Sequence, residues 1–499
     1  MSKRTLALAA AVALAVTTVV VGQQALTARP DREQPPVVDH YATTPSGPCG
    51  PGSTPEETQG RIPAADYAPG TATDGSSRTR AEQGYYCNAR VKGRHGDSGG
   101  YRVHRYVDAA GHECAFYDST LLFPGNAASR DTDGTGAFAL DMSDPTKPVK
   151  TASMLTPAMQ SPHESMSLNQ KRGLLAAGMG YPTFQPGFVD IYDVSQDCRN
   201  PVLMSSLPLG VIGHEGEFSP DGRTYWVTSP FTSSIVAVDV TNPLVPSILG
   251  VWRDWSIHGL NISDDGTRFY GADTGSPERG GTDGSDGLTI LDVSDVQNRL
   301  PNPQLRLVSH LTWDTVSIPQ TAIPVTITTG KPARPHKFLI EVDEFGGGAA
   351  VGAARIINID NEKKPFVVSN LRLTVNNQHT EAAKAWANDP GASSGLQGYD
   401  AHYCAVPQRN EPGIVACSFI VSGLRVFDIR DPYNPVEIAY ANQAAPANTT
   451  SSSPRAPYAM SAPTFVPERS EIWYSDGSSG FYNIEITNGV WPFPDKKGR

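Results

Sequence analysis

The sequence predicts an all-β fold: a single β-propeller of seven four-stranded blades, closed by overlap of its N- and C-terminal strands. Three observations predict it. The first is a recurring phrase: a short apolar run, then an acidic or amide residue, then a turn that often ends in Pro. It reads Ala137-Phe138-Ala139-Leu140-Asp141-Met142-Ser143-Asp144-Pro145, and it returns around Asp193, Asp239, Asp292, Asn358, Asp428 and Asn483. The steps between these marked residues are 52, 46, 53, 66, 70 and 55. A repeat of that length is one propeller blade. The second observation is a constant order within each unit. An entering strand is followed by a tight turn such as Pro220-Asp221-Gly222, an aromatic-rich strand such as Thr224-Tyr225-Trp226-Val227, the marked strand, and a last strand such as Val245 to Leu249. The third is that the last unit stops after its third strand, near Trp491, while Tyr86 to Val91 precedes the first full unit and supplies a missing outer strand. Such closure removes exposed edges. The long steps of 66 and 70, which lead into the fifth and sixth units, leave room for an insertion or an extra hairpin.

Along the chain, residues 1–28 have the layout of a secretory signal. Lys3 and Arg4 precede an apolar run from Leu6 to Val21, then small and polar residues up to Ala28, after which cleavage is expected. The competing reading is an uncleaved anchor, since the run approaches the ~17 residues a span needs. No later segment is apolar enough to span a membrane. Residues 29–84 are rich in Pro, Gly, Thr and Ser and read as a tether plus an irregular arm. Residues 85–499 are the propeller. The 40 Lys and Arg against 51 Asp and Glu give a net charge of -11, with no basic cluster, which argues against nucleic acid as a partner. A secreted or cell-surface monomer is the expectation.

Export makes the six cysteines readable as disulfides. Cys404 and Cys417 flank the turn-rich Pro407 to Gly413 and would staple one hairpin. Six cysteines allow 15 pairings. The expectation for the rest pairs Cys87 with Cys114, which leaves Cys49 and Cys198.

The phrase of apolar strand, Asp, Val, Ser or Thr, Asp or Asn, and Pro resembles the LVIVD repeat of secreted bacterial propellers. The resemblance covers roughly residues 100 to 490 and is cleanest at Asp141, Asp239 and Asp428. It implies the architecture and says almost nothing of activity. A Trp-Asp ending is absent, so the WD40 class fits poorly. A more distant similarity, carried by His163, His214, His258, His402 and His104, is to the selenium-binding protein and methanethiol oxidase group, propellers with histidines near the central channel. That similarity rests on the histidine pattern and implies copper and oxidation of a small, sulfur-containing substrate.

Counting back from each marked residue gives that pattern. His163 opens His-Glu-Ser-Met-Ser, His214 opens His-Glu-Gly-Glu-Phe-Ser, and His258 opens His-Gly-Leu-Asn-Ile-Ser. His402 lies in Asp-Ala-His-Tyr-Cys, and His104 is aligned by its 11-residue distance to Ala115, which matches that from His214 to Tyr225. Gln320 and Ser461 take the place in the other two units. The first strand of a blade is innermost, so equivalent positions form a ring about the channel. Imidazoles converging there require a metal, a shared proton or an anionic ligand. A thiolate-free, imidazole-rich set suits copper, zinc or iron more than calcium or magnesium. Copper or zinc is the expected cofactor. Glu164, Glu215 and Glu217 are placed to ligate, to orient an imidazole or to act as a base on bound water, and Glu164 and Glu215 are the catalytic candidates. A histidine at a strand start also bonds a neighbouring blade's backbone in many repeat proteins, which is the competing use.

Two functions follow. One is a metal-dependent oxidoreductase or hydrolase acting on a small extracellular substrate at the channel mouth. The other is a non-catalytic scaffold that grips a surface protein or glycan through loops such as Gln297 to Pro303 and Asn376 to Gly398. Asp131-Thr132-Asp133-Gly134 and Asp283-Gly284-Ser285-Asp286 resemble fragments of calcium loops without the full ligand spacing, and read as solvated turns. No GxSxG elbow, Walker loop, CxxC pair or dinucleotide fingerprint is present.

Overall fold

The computed structural model describes residues 38–62, 83–119, 134–180, 187–275, 286–344, 352–377, 386, 398–444 and 457–493. The N-terminal apolar run, Asp131 to Asp133, Asp283 to Ser285 and most of Asn376 to Gly398 lie outside the described residues. Seven antiparallel sheets form the propeller. Blades 1 to 6 are continuous in sequence: 103–154, 167–207, 215–253, 257–311, 319–371 and 401–442. Blade 7 combines 464–486 with Ala89–His95, which pairs with Gly480–Ile486 as its outer strand.

The repeated phrase is turn chemistry. Six of the seven marked side chains, all but Asn483, end the third strand and accept the N–H two residues on. Asp141 takes Ser143 at 2.8 Å, Asp193 takes Ser195 at 2.7 Å, Asp239 takes Thr241 at 2.8 Å, and Asn358 takes Asp360 at 3.0 Å. A short carboxylate or amide folds back on its own chain this way and sets the turn to the outer strand. In blade 7 the ladder pairs Glu471 with Glu485, as Thr224 pairs with Asp239, so Glu485 and not Asn483 holds the equivalent place. The second and third strands, such as Thr224–Ser229 and Ser234–Asp239, are almost wholly buried between neighbouring blades. The outer strand Ser247–Arg253 is half exposed.

Closure uses two N-terminal strands rather than one. Tyr85–Cys87 adds a fifth strand to blade 6, opposite Tyr440 to Asn442, and Ala89–His95 then completes blade 7. Asn88 makes the switch with a left-handed backbone (φ 49°), a conformation Asn adopts more readily than most residues. Its side-chain carbonyl accepts the Gly50 N–H at 2.7 Å, and its amide donates to Ile438 O at 2.8 Å. The long fifth unit reflects a long hairpin, Pro319–Thr329 with Arg334–Asp343.

Three disulfides form: Cys404–Cys417, Cys49–Cys87 and Cys114–Cys198. The first is the expected hairpin staple. The expected Cys87–Cys114 pair does not form, because Cys87 lies on the strand added to blade 6 while Cys114 opens the second strand of blade 1. Cys114 instead meets Cys198, in the turn of the adjacent blade 2. Cys49 reaches Cys87 because the arm, residues 38–62, runs along blades 5 and 6. Thr44 N–H bonds Arg372 O, and Gly47 N–H bonds Glu437 O. Among the described residues no helix is long and apolar enough to cross a membrane.

Candidate metal centre at the channel mouth

The ladder fixes which residues share the ring. Each innermost strand has one residue paired with the second-strand residue two places beyond the one opposite the marked position (Asp239 or its equivalent). In blade 3 this is Glu217 opposite Trp226, and His214 lies three residues before it. The same count from Asn261 reaches His258, from Ile323 reaches Gln320, from Ala405 reaches His402, and from Thr464 reaches Ser461. In blade 2 it starts from Ser167 and reaches Glu164, one residue after His163. In blade 1 it starts from His104 itself and reaches Tyr101. The ring is therefore Tyr101, Glu164, His214, His258, Gln320, His402 and Ser461.

Local backbone irregularities aim these side chains. The pairing slips by one between Ile257 and Leu260, between Pro319 and Thr321, and between Ala401 and Tyr403. These bulges contain His258, Gln320 and His402, and bulges re-aim side chains next to functional sites. His163 has a left-handed backbone (φ 49°), an uncommon state for His. A Cβ on Gly180 would lie 2.3 Å from the His163 Cβ, so that glycine makes room for it.

Glu164 is the hub. Its Oε2 lies 3.1 Å from His214 Nε2 and 3.6 Å from His258 Nε2, and it accepts the Gln320 amide at 2.7 Å. Its Oε1 lies 3.3 Å from His402 Nε2 and 3.9 Å from His163 Nδ1. His258 and His214 approach to 2.6 Å between Nε2 atoms. Glu344 completes the group, with Oε2 at 2.9 Å from His402 Nε2. Tyr101 stacks on the His163 ring at 4.5 Å between centroids. All four imidazoles and Glu164 are buried.

Backbone carbonyls set two of the tautomers. His258 Nδ1 donates to Pro319 O at 2.9 Å, and His402 Nδ1 donates to Met460 O at 2.6 Å. Each carbonyl belongs to the residue just before the next blade's ring position, so one device serves twice. It leaves the Nε2 atoms facing Glu164, the orientation that metal-binding histidines need. His163 Nδ1, His214 Nδ1, His402 Nε2 and Gln320 Oε1 are buried without an aligned hydrogen-bond partner. Buried polar atoms in that state call for an unseen partner.

Electrostatics follow from burial and crowding. Burial, and then the neighbouring His214, hold His163 and His258 below the usual imidazole range. His402 goes the other way: burial opposes its charge, but the Glu164 and Glu344 carboxylates outweigh that and push it up to about 10. Burial would raise Glu164, yet the surrounding imidazoles hold it well below the carboxylate range.

Three anticipated residues sit elsewhere. His104 is lower on its strand and bonds Met166 O of blade 2 at 2.9 Å, without reaching the imidazole cluster. Glu217, on the same lower ring, meets Ser167 Oγ at 3.3 Å. Glu215 lies one step below the histidines with both oxygens engaged: Arg102 at 3.0 Å, Leu260 N–H at 3.0 Å and the Tyr403 hydroxyl at 2.8 Å. Burial pushes its carboxyl up to about 7. Gly259 permits this placement, since a Cβ there would lie 2.1 Å from Glu215 Oε2. Arg102 of blade 1 also donates to Glu164 O at 2.8 Å and lies over the Tyr403 ring at 4.6 Å. It thus crosses the channel from blade 1 to blades 2, 3 and 6 and forms a floor beneath the cluster. Tyr101, Arg102 and Glu344 were absent from the sequence reading. Glu344 had one signal, an acidic run (Glu341, Asp343, Glu344) ending a second strand at the channel-mouth end, ahead of Gly346-Gly347-Gly348.

No known protein-family pattern matches the chain, and no curated protein matches it in sequence. Many solved structures are similar in fold. Kuenenia stuttgartiensis hydrazine synthase is 12% identical at a TM-score of 0.46, covering 79% of this chain and 97% of that one. The β-propeller domain of Cps50 (Swd1) from Myceliophteria thermophila is 11% identical at 0.47, covering 80% and 99%. A protein from Lactobacillus plantarum is 11% identical at 0.45, covering 75% and 96%. At such identity and score none of their activities transfers. The chain is a seven-bladed β-propeller on the strength of its own ladder.

Proposed function

We propose that the protein is an exported, metal-dependent enzyme acting on a small extracellular molecule at the channel mouth. The observation that carries this is Glu164: a buried carboxylate ringed by imidazole nitrogens from blades 3, 4 and 6, with unpartnered polar atoms around it. His214, His258 and Glu164 would hold the ion, with His163 beside them. Mixed imidazole and carboxylate donors suit zinc, and copper is the second choice. Such an ion would supply activation of a bound water at neutral pH, and hydrolysis is the chemistry we favour.

The chain's own groups have clear tasks. Pro319 O holds His258 in the tautomer that presents Nε2. Gln320 fixes Glu164 by donating to Oε2. Arg102, Glu215 and Tyr403 bridge the channel beneath the cluster and would support Glu164 from that side. Phe231 is 66% exposed, and its ring packs edge-on to His214 at 5.3 Å, which offers an apolar wall to an arriving substrate. Three disulfides support an oxidising compartment and agree with the signal-like N-terminus.

Elemental analysis of the secreted protein, beside His214→Ala/His258→Ala, tests the reading. Near-stoichiometric zinc or copper, lost in a variant with unchanged near-UV circular dichroism, is expected. A wild-type chain that stays metal-free after loading with either ion would overturn it and favour the scaffold.

A further inference from the structure

We infer that the channel mouth holds a second divalent cation, on His402 and Glu344, with Glu164 bridging the two ions through its separate carboxylate oxygens. This rests on the metal reading above and extends it to a residue the repeat does not mark.

The partition of Glu164 is the starting point. Oε2 faces His214, His258 and Gln320, while Oε1 faces His402 and His163. Two donor groups share this carboxylate, His163, Glu164 and His214 in one and Glu164, Glu344 and His402 in the other, with His163 lying between them on the Oε1 side. Within the second group the distances from His402 Nε2 are 2.9 Å to Glu344 and 3.3 Å to Glu164. Donors held 2.0–2.2 Å from one ion lie about 3 Å apart in octahedral and about 3.4 Å apart in tetrahedral geometry, so this spacing suits a shared cation.

The hydrogen-bond pattern supports it. Met460 O takes the His402 Nδ1 proton, so Nε2 is the free ligand atom, and neither carboxylate oxygen near it is aligned as an acceptor. Charge gives a second, independent support. Among the described residues no Lys or Arg is ion-paired with the Glu164 or Glu344 carboxylate, although their side chains are 1% and 14% exposed. One imidazole, His402, is then the only nearby group among the described residues that can balance both carboxylates on this side, and a divalent cation there would balance them more fully. One imidazole with two carboxylates is a harder donor set than the His214–His258 side, and it suits Mn²⁺ or Zn²⁺. Two ions sharing a carboxylate would clamp the oxygens of an ester or phosphoester in hydrolysis.

The test is a metal count on the full secreted chain, stripped and reloaded with Zn²⁺ alone, for wild type, Glu344→Gln and His402→Gln. Two ions per wild-type chain and one in each variant are expected, with thermal melts of the stripped proteins confirming that both variants fold. Mn²⁺-loaded wild type should show a spin-coupled electron paramagnetic resonance signal, and Glu344→Gln an uncoupled one. One ion in wild type, unchanged by Glu344→Gln, would overturn the second site and leave the first standing. Two ions retained in both variants would place the second ion elsewhere and also overturn it. No ion in any protein would remove the metal reading itself.

Discussion

Two buried carboxylate clusters in this molecule are built to opposite ends. Where the arm meets blade 6, Arg425 pairs with Glu56 through both guanidinium nitrogens at 2.7 and 2.8 Å, and with Glu437 at 3.2 Å. Its Nε donates to Ser422 O, and its plane lies over Tyr440 at 4.4 Å. The second Glu437 oxygen takes Ser46 and Gln59, both at 2.9 Å. Every polar atom of these three side chains has a partner. At the channel mouth, Glu164 has imidazoles where Glu56 has a guanidinium, and four nearby nitrogen and oxygen atoms lack one. A permanent cation completes the first cluster within the chain. The second is complete only when something enters it.

The comparison predicts opposite partitions of the same kind of change. Arg425→Met leaves Glu56 and Glu437 buried and unpaired, and should cost about 3–5 kcal/mol, read by denaturant unfolding. Its metal content should not change. Glu164→Gln should abolish metal uptake and cost the stripped protein less stability than Arg425→Met does, because the cation it leaves behind, His402, keeps Glu344 at 2.9 Å. Equal stability losses in the two variants would break the distinction and make Glu164 a structural group.

The disulfides sharpen the same contrast between what holds the ring closed and what occupies it. Cys114–Cys198 joins blades 1 and 2 across 84 residues, whereas Cys404–Cys417 staples one hairpin across 13. Constraint of the unfolded chain grows with loop length, so Cys114→Ala/Cys198→Ala should lose about 2–5 kcal/mol and the hairpin pair less. Metal content should survive both replacements. Loss of metal in the Cys114 variant would show that blade 1–2 packing positions Glu164.

The architecture was legible because the turns repeat: a carboxylate that accepts the N–H two residues on leaves the same spelling in blade after blade. The ring positions His214, His258 and His402 were legible for the same reason. His104 misled because blade 1 has a longer first hairpin, so an equal distance to the second strand selects a residue three places too far along. In blade 2 the ring place falls to Glu164, while His163 enters from the preceding turn with a left-handed backbone. Glu344 belongs to no repeat, and only the meeting of blades 5 and 6 brings it to His402. The cysteine pairing depended on which blade each early strand joins, and no spacing encodes that.

The smallest effect tests whether the repeated Asp carries anything besides the turn. Asp193 accepts the Ser195 N–H at 2.7 Å and lies at the end of a third strand, away from the imidazoles. Asp193→Ala removes one such bond and should cost about 1 kcal/mol in urea unfolding. Asp193→Asn should be nearly neutral, because Asn358 makes the same bond at 3.0 Å in blade 5. Asp193→Glu should resemble the alanine, since the extra methylene moves the acceptor away from a turn this tight. A metal content that changed with any of the three would tie the repeat to the channel mouth. Unchanged metal with graded stability would confine the repeated Asp to folding, and leave function to the residues that break the repeat.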